Sequence, residues 1–512
     1  MGFKNIIEKF AVNYAHNSIQ KSLYNEFNID ILTTTYTKTP KKDKKYMLYA
    51  HVPFCHTFCP YCSFHKYHYE QELAKIYFEN LREEMRQVKE AGFDFSSLYV
   101  GGGTTLINEP ELEKTLKLAK ETSVVYTKQI GSAILGVNVK TGLSSALKAS
   151  QKSLKMLPPG TLLKIGNLNN EIIEVIGNIN DPLSDEKISL AVFNKNGEFN
   201  EECEAEALAW GDEVDPAMYP QRVDLRGLAF CTIDPVDAKD FDDAIYFDEK
   251  KREIYVAIAD VSEYVTPYSP IDAEAKTRGF SIYFPHKAVP MLPRNLSENI
   301  CSLKPNTARL AFCFKITIDE NDEVIKEELL EALIVSKRRF NYDEVDQILC
   351  GEREDEIGWI KPLFALTSRL RKKRLKNAFD FRTQELRMSL DADGGLASTR
   401  FETDTDSHRL VEDCMLLANV AAAKRIGKGV FRNHGSPDLR KIQILLEDLG
   451  ALGFDFVYES DIANLVRKIQ AQADAVGNRE EIDKLIIKSQ KKAEYGAQNL
   501  GHFGLGFERY TH

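Results

Sequence analysis

Apolar positions take three textures along the chain. Residues 4 to 27 carry them at helical spacing, as an amphipathic helix would, and the Thr/Lys/Pro-rich stretch from Thr33 to Lys45 reads as an exposed basic linker. A short apolar strand, Tyr46 to Val52, leads through a cysteine-rich loop into a helix of about twenty residues ending near Gly92. Ser97 to Val100 then reads as a strand running into Gly101, Gly102 and Gly103. Strand, loop, helix, strand is the opening of a parallel α/β unit. From about Glu121 the pattern turns to short β-branched strands (Val124 to Thr127, Thr161 to Ile165, Glu171 to Gly177) between Gly, Asn and Pro turns, as in a small OB-like β-barrel. Near Asp215 a third texture begins. Strands Ala229 to Ile233, Ala244 to Phe247 and Ile254 to Ile258 alternate with acidic loops, and helices are expected to dominate after Asp343. No repeat of fixed period occurs. The pattern predicts a multidomain α+β protein: an α/β fragment over residues 1–120, an OB-like β domain with connector over 121–215, and a mixed α+β domain over 216–512.

Composition agrees with that count. At roughly 100 to 200 residues per domain, 512 residues make about three, and 43% hydrophobic with 28% charged residues is an ordinary globular balance. No run of about 18 apolar residues and no signal-peptide core is present, so a cytoplasmic chain without membrane contact is expected. Cys203, Cys231, Cys301, Cys313, Cys350 and Cys414 stand singly among apolar neighbours, as reduced buried thiols do. The net charge of -10 leaves no global basic footprint, so any nucleic acid must be held in a local groove. Arg371, Lys372, Lys373 and Arg374 are candidates to line it.

The densest chemistry lies between Asp234 and Asp243. Asp234, Asp237, Asp240, Asp242 and Asp243 put five carboxylates in ten residues directly after an apolar strand. Like charges this close repel by about 1 kcal/mol or more per pair even at high dielectric, so folding them together favours a bound cation. Carboxylates without nitrogen or sulfur ligands suit a hard ion such as magnesium. A calcium EF-hand loop fails, because counting from Asp234 places Lys239 at its central Gly and Ile245 at its closing Glu. The bland alternative is a solvated acidic loop, against which Pro235 and the flanking apolar strands argue.

The run resembles the catalytic signature of the ribonuclease II and ribonuclease R family at Asp234, Asp240, Asp242 and Asp243. Further segments are similar to the same catalytic (RNB) domain in the same order: Ser281 to Pro293, Leu296 to Pro305, His408 to Asn419 and Gly501 to His512. The resemblance implies processive 3′-to-5′ hydrolysis of single-stranded RNA to nucleoside monophosphates with magnesium or manganese. It also implies metal ligation by Asp234, Asp240 and Asp243, with Asp242 supporting the attacking water. Tyr283 matches the family aromatic that stacks on a terminal base, with a half-buried strand tyrosine as the alternative. Phe381 is the candidate second stacking wall, core packing being its alternative, and Glu412 the carboxylate near the terminal nucleotide or else a helix-surface Glu. His434 reads as a loop histidine, an RNA contact being its alternative. Residues 121 to 215 resemble the second cold-shock-like domain of that family. The chain ends at His512, inside a family motif that continues into an arginine able to stabilise transition-state charge, so impaired turnover is expected.

The N-terminal cysteines form a separate constellation. Cys55, Cys59 and Cys62 follow a strand with CxxxCxxC spacing, and three thiolates in one loop can ligate three irons of a four-iron four-sulfur cluster, leaving the fourth iron open for a non-protein ligand such as S-adenosylmethionine. Zinc, helped by His56, His65 and His68, is the structural alternative. With Gly101, Gly102 and Gly103 following about forty residues on, the segment resembles the start of a radical S-adenosylmethionine protein of the oxygen-independent coproporphyrinogen III oxidase and heme-chaperone family. That resemblance places Tyr49 beside the cluster and the glycines at the cofactor amine, and gives residues 1–120 the form of a partial radical-SAM-like α/β barrel fragment. Three functional readings follow: an exoribonuclease, a radical enzyme of porphyrin metabolism, and a chimera without complete activity.

Overall fold

The computed structural model describes residues 46–57, 67–91, 93, 95–120, 122–382, 384–391 and 394–512. The amphipathic helix over 4–27, the linker over 33–45, Cys59, Cys62 and His65 lie outside them. No helix among the described residues is long and apolar enough to cross a membrane. The chain divides into two compact units, residues 1–196 and 197–512.

In the first unit, strand β1 (Tyr46–Val52) pairs in parallel with β2 (Phe95–Gly102) across helix α1 (Gln71–Glu90), giving a βαβ unit followed by α2 (Glu109–Lys120). Alternate residues of β1 decide its faces. Ala50 and Val52 enter a core with Phe54, Ala74, Phe78, Leu81, Met85 and Leu112, whereas Met47 and Tyr49 stay exposed. After α2 come β3 (Thr122–Ile130), β4 (Ala133–Asn138), β5 (Thr161–Gly166) and β6 (Ile172–Asn178), which with Ser144–Ser145 make a five-stranded antiparallel sheet. Val125, Leu163 and Ile165 fill its core with Leu147 and Leu154. Helix α3 (Ser184–Val192) closes the unit.

The second unit opens with helix α4 (Glu201–Ala209) and strand β7 (Val223–Asp224), and is built on β8 (Phe230–Asp234), β9 (Asp243–Asp248), β10 (Glu253–Ala259), β13 (Ala308–Ile318) and β14 (Val324–Asn341). Between β10 and β13 lie helix α5 (Pro270–Arg278) and the short pair β11 (Ile282–Tyr283) and β12 (Ala288–Val289). The 18-residue strand β14 closes the sheet into a ring: its first two thirds pair antiparallel with β13, and its last residues, Ser336 to Asn341, pair in parallel with β8. Side chains alternate between two cores, as the period of two along a strand demands. Phe230, Ala244, Tyr255 and Ala257 join Leu292, Leu296 and Ile300. Cys231, Ile233, Ile245, Ile254 and Val256 face helices α6 (Tyr342–Cys350), α7 (Ile360–Arg374) and α8 (Asp406–Arg425). Burial on both faces is why these strands read as nearly continuous apolar runs.

Helices α9 (Leu439–Ala451), α10 (Ile462–Ala475) and α11 (Arg479–Ser489) form a further cluster around Ile442, Leu465 and Ile482. Helices do not take over entirely after Asp343, because a solvent-exposed hairpin, Gln384–Leu390 with Leu396–Thr403, intervenes. Five of the six scattered cysteines are buried as expected. Cys350 is exposed, because it is the last residue of α6, where the helix leaves the core.

Candidate metal centre

Asp234 ends β8 and Asp243 begins β9, and these neighbouring strands are held in register through Cys231 and Ile245. The intervening loop folds back so that Asp234, Asp242 and Asp243 each offer a carboxylate oxygen within 4.8 Å of the others. One oxygen of Asp234, Oδ2, is buried without a hydrogen-bond partner. Burial pushes the Asp234 carboxyl up to about 7, with Asp242 adding to the rise and the Arg339 guanidinium opposing it. Asp243 is driven well above the carboxylate range by burial first and then by Asp242 and Asp234. Three carboxylates under this mutual strain and an orphaned oxygen fit a divalent cation, which would satisfy all of them at once.

Asp240 stands apart from that group. Its Oδ2 accepts a hydrogen bond from the Tyr283 hydroxyl at 3.3 Å. The sequence expectation put Asp240 with Asp234 and Asp243 on the metal and Asp242 on the water, whereas the geometry gathers Asp242 with the other two. Tyr283 is 69% exposed on β11, so its ring is open to a ligand. Phe381 is half-buried, 5.4 Å from Phe379 and packed on the α9–α11 cluster. Glu412 on α8 binds Arg371.

Three of the four cations in the basic run of α7 are not free charge. Arg371 also binds Asp380 and Asp413, Lys373 binds Glu323, and Arg374 lies 4.0 Å from Asp413, so these three cations are already neutralised by carboxylates. His434 is a loop histidine held by the Lys491 carbonyl and the Gly504 amide.

Sequence reading missed Tyr342, Arg339 and Ser302. Tyr342, at the start of α6, stacks on His408 with ring centroids 3.8 Å apart; burial first, then Asp234, Asp243 and Asp242, push its hydroxyl up to about 12. Arg339 on β14 donates to the Pro235 and Val236 carbonyls at 2.7 Å each. The pairing of Asp234 with Asn341 brings Tyr342 and Arg339 to the carboxylates, Ser302 reaches the loop by hydrogen bonds to Lys239 and Phe241, and no local motif announces either approach.

In the N-terminal unit Cys55 meets the glycine run. A Cβ on Gly103 would lie 2.8 Å from Cys55 Sγ and 2.5 Å from the Phe54 carbonyl oxygen, so the close approach requires glycine there. Tyr49 stacks on Tyr99 with centroids 5.7 Å apart, and Gly101 and Gly102 end β2 beside it.

Two family models match this chain, one on each side of the texture change near Asp215. The model of the ribonuclease R second OB domain matches residues 124–190, and that of the RNB domain matches residues 222–512. Ribonuclease R of Helicobacter pylori (strain ATCC 700392 / 26695) is 34% identical over 407 residues, 77% of this chain and 62% of that protein. Mycoplasma genitalium RNase R, solved in complex with ribose-methylated single-stranded RNA, superposes with a TM-score of 0.68 at 28% identity, covering 77% of this chain and 66% of that one. Yeast Ssd1, a pseudonuclease, shares the fold alone, with a TM-score of 0.59 at 14% identity. The chain thus spans a little under two thirds of the length of the first of these relatives. Neither family model reaches residues 46–120, and the radical S-adenosylmethionine resemblance gains no support from these matches. The RNB match alone runs over more than half of the residues and contains the carboxylate cluster, and on that ground the chain belongs to the RNB-domain family.

Proposed function

We propose that this chain is a 3′-to-5′ exoribonuclease that hydrolyses single-stranded RNA to nucleoside 5′-monophosphates at Asp234, Asp242 and Asp243. The observation that carries the reading is the convergence of those three carboxylates within 4.8 Å, with Asp234 Oδ2 buried and unpartnered. Magnesium or manganese is the cation of choice, and when bound it polarises a phosphate oxygen and makes a coordinated water acidic. The chain's own residues do the rest. Tyr283 offers an exposed ring for stacking the 3′-terminal base, with its hydroxyl donating to Asp240. Glu412 and Phe381 are proposed RNA contacts further along. In the hydrolytic step a water oxygen attacks the scissile phosphorus and the bond to the 3′ oxygen of the preceding nucleotide breaks. The terminal nucleotide then leaves as a 5′-monophosphate, and the shortened strand keeps a free 3′ hydroxyl. RNA labelled at its 3′-terminal nucleotide tests this. Early release of the label as a mononucleotide is expected, and release within longer fragments would contradict it.

A second reading attaches to the N-terminal fragment, with Cys55, Cys59 and Cys62 on a four-iron four-sulfur cluster and Tyr49, Gly101, Gly102 and Gly103 about S-adenosylmethionine. Its support is the seating of Cys55 Sγ against Gly103 at the end of two parallel strands. Anaerobic iron reconstitution decides it: tight zinc uptake with no cluster absorption would remove it.

A further inference from the structure

The loop that spreads the carboxylates is held from behind by one hydroxyl. Ser302 follows a π-helical turn, Leu296–Ile300, and is 1% exposed. Its Oγ donates to the Lys239 carbonyl at 2.8 Å and accepts from the Phe241 amide at 3.1 Å, so it grips the backbone on both sides of Asp240. The Leu303 amide adds a bond to the Phe241 carbonyl at 2.8 Å. Ser302 is itself fixed: Arg309 Nε, on a side chain that is almost fully buried, donates to the Ser302 carbonyl at 3.0 Å. At the start of the loop Arg339 holds the Pro235 and Val236 carbonyls, and at its end the Ala259 amide holds the Asp242 carbonyl at 2.9 Å.

We infer that Ser302 is a positioning residue for the metal centre, setting the turn at Lys239 to Phe241 that sends Asp240 toward Tyr283 and Asp242 toward Asp234 and Asp243. The hydroxyl donates its one proton to the loop and accepts from the loop, and it lies too deep to reach a substrate. The four carboxylates Asp234, Asp240, Asp242 and Asp243 have no reason of their own to divide three against one. Left unbraced, mutual repulsion favours a wider spread of the carboxylates, which is the arrangement least able to close on one ion. Outer partners of this kind typically change metal affinity by about 10- to 100-fold when removed.

The inference rests on the proposed metal reading, and its test is separable from RNA turnover. In the full chain, Ser302→Ala is expected to weaken manganese or magnesium binding by calorimetry about tenfold or more. In the metal-free protein the same change should speed amide hydrogen exchange over residues 239–241 and leave β10 unchanged. Ser297→Ala is the control, since that hydroxyl bonds only the Leu292 and Pro293 carbonyls nearby; it should leave metal affinity as it was. Should Ser302→Ala not fold, Ser302→Cys, similar in size but a poor hydrogen-bonding group, is read in its place with the same expectation. Metal affinity within twofold of the parent, with only a lowered melting temperature, would overturn the role. If metal binds and weakens as expected while RNA stays intact, the nuclease reading fails and the brace stands.

Discussion

Asp234 shows how a single residue states the chemistry. A carboxylate oxygen that is buried, unpartnered and within reach of two more carboxylates is costly unless a cation meets it. Tyr283 makes a second claim that one substitution checks. Base stacking on an aromatic ring is typically worth about 1 to 3 kcal/mol, so Tyr283→Ala should raise KM for single-stranded RNA by roughly 5- to 150-fold. Tyr283→Phe keeps the ring and loses the Asp240 hydrogen bond, and its KM should stay near that of the parent; equal losses in both variants would assign the effect to the hydroxyl. His502 gives a pH dependence. Burial first, then neighbouring His434, lowers its pKa to about 4, with Arg432 and His512 acting in the same direction and the backbone opposing. A histidine held neutral in the fold binds fewer protons than its unfolded form, so its contribution is present above the ordinary value of about 6.5 and lost as pH falls toward 4. Melting temperature should therefore drop across that window, and less steeply in His502→Gln. Parallel curves for the two proteins would show that His502 is not the group responsible.

At the scale of elements, the junction of β14 and α6 joins the carboxylate loop to the helical layer. Asn341 pairs with Asp234 across the strands and caps α6, accepting from the Glu344 amide while Glu344 returns a bond to the Asn341 amide. Asn341→Ala should cost about 1 kcal/mol of stability, readable by denaturant unfolding, with no change in the fold. A loss below a few tenths of a kcal/mol would mean the cap adds little to what strand pairing already supplies. This junction also shows where sequence reading stops. Strands β8, β9 and β10 were legible to within a residue or so at each end, because burial on both faces makes their apolar runs continuous. The Asp234 to Asp243 run was legible because its five carboxylates fall within ten residues. Tyr342, Arg339 and Ser302 were not, although Ser302 sits in a segment whose family likeness was plain. Their roles depend on pairings made across about sixty to a hundred residues, and a hydroxyl facing a loop leaves no periodic trace. The basic run of α7 misled for a related reason: its charge is visible in the sequence, while its partners Asp380, Glu412 and Asp413 are not adjacent to it.

For the whole molecule, the two units carry different weight. Residues 197–512 hold a metal-competent cluster inside a matched domain, and residues 124–190 match an OB domain that accompanies it in ribonuclease R. The described residues of 46–120 form a βαβ unit on which Met47, Tyr49 and Tyr99 are exposed, and neither family model reaches them. The Ssd1 likeness is a reminder that this fold alone does not make a nuclease, so the carboxylates must be tested directly. The most direct measurement follows 5′-labelled single-stranded RNA incubated with the full chain across a magnesium titration, beside an Asp242→Asn variant. The account predicts a ladder shortening from the 3′ end, dependent on magnesium and slowed at least about 100-fold in the variant, as loss of about 2.7 kcal/mol of transition-state stabilisation would give. Intact RNA at every magnesium concentration, or degradation at equal rates by both proteins, would contradict it.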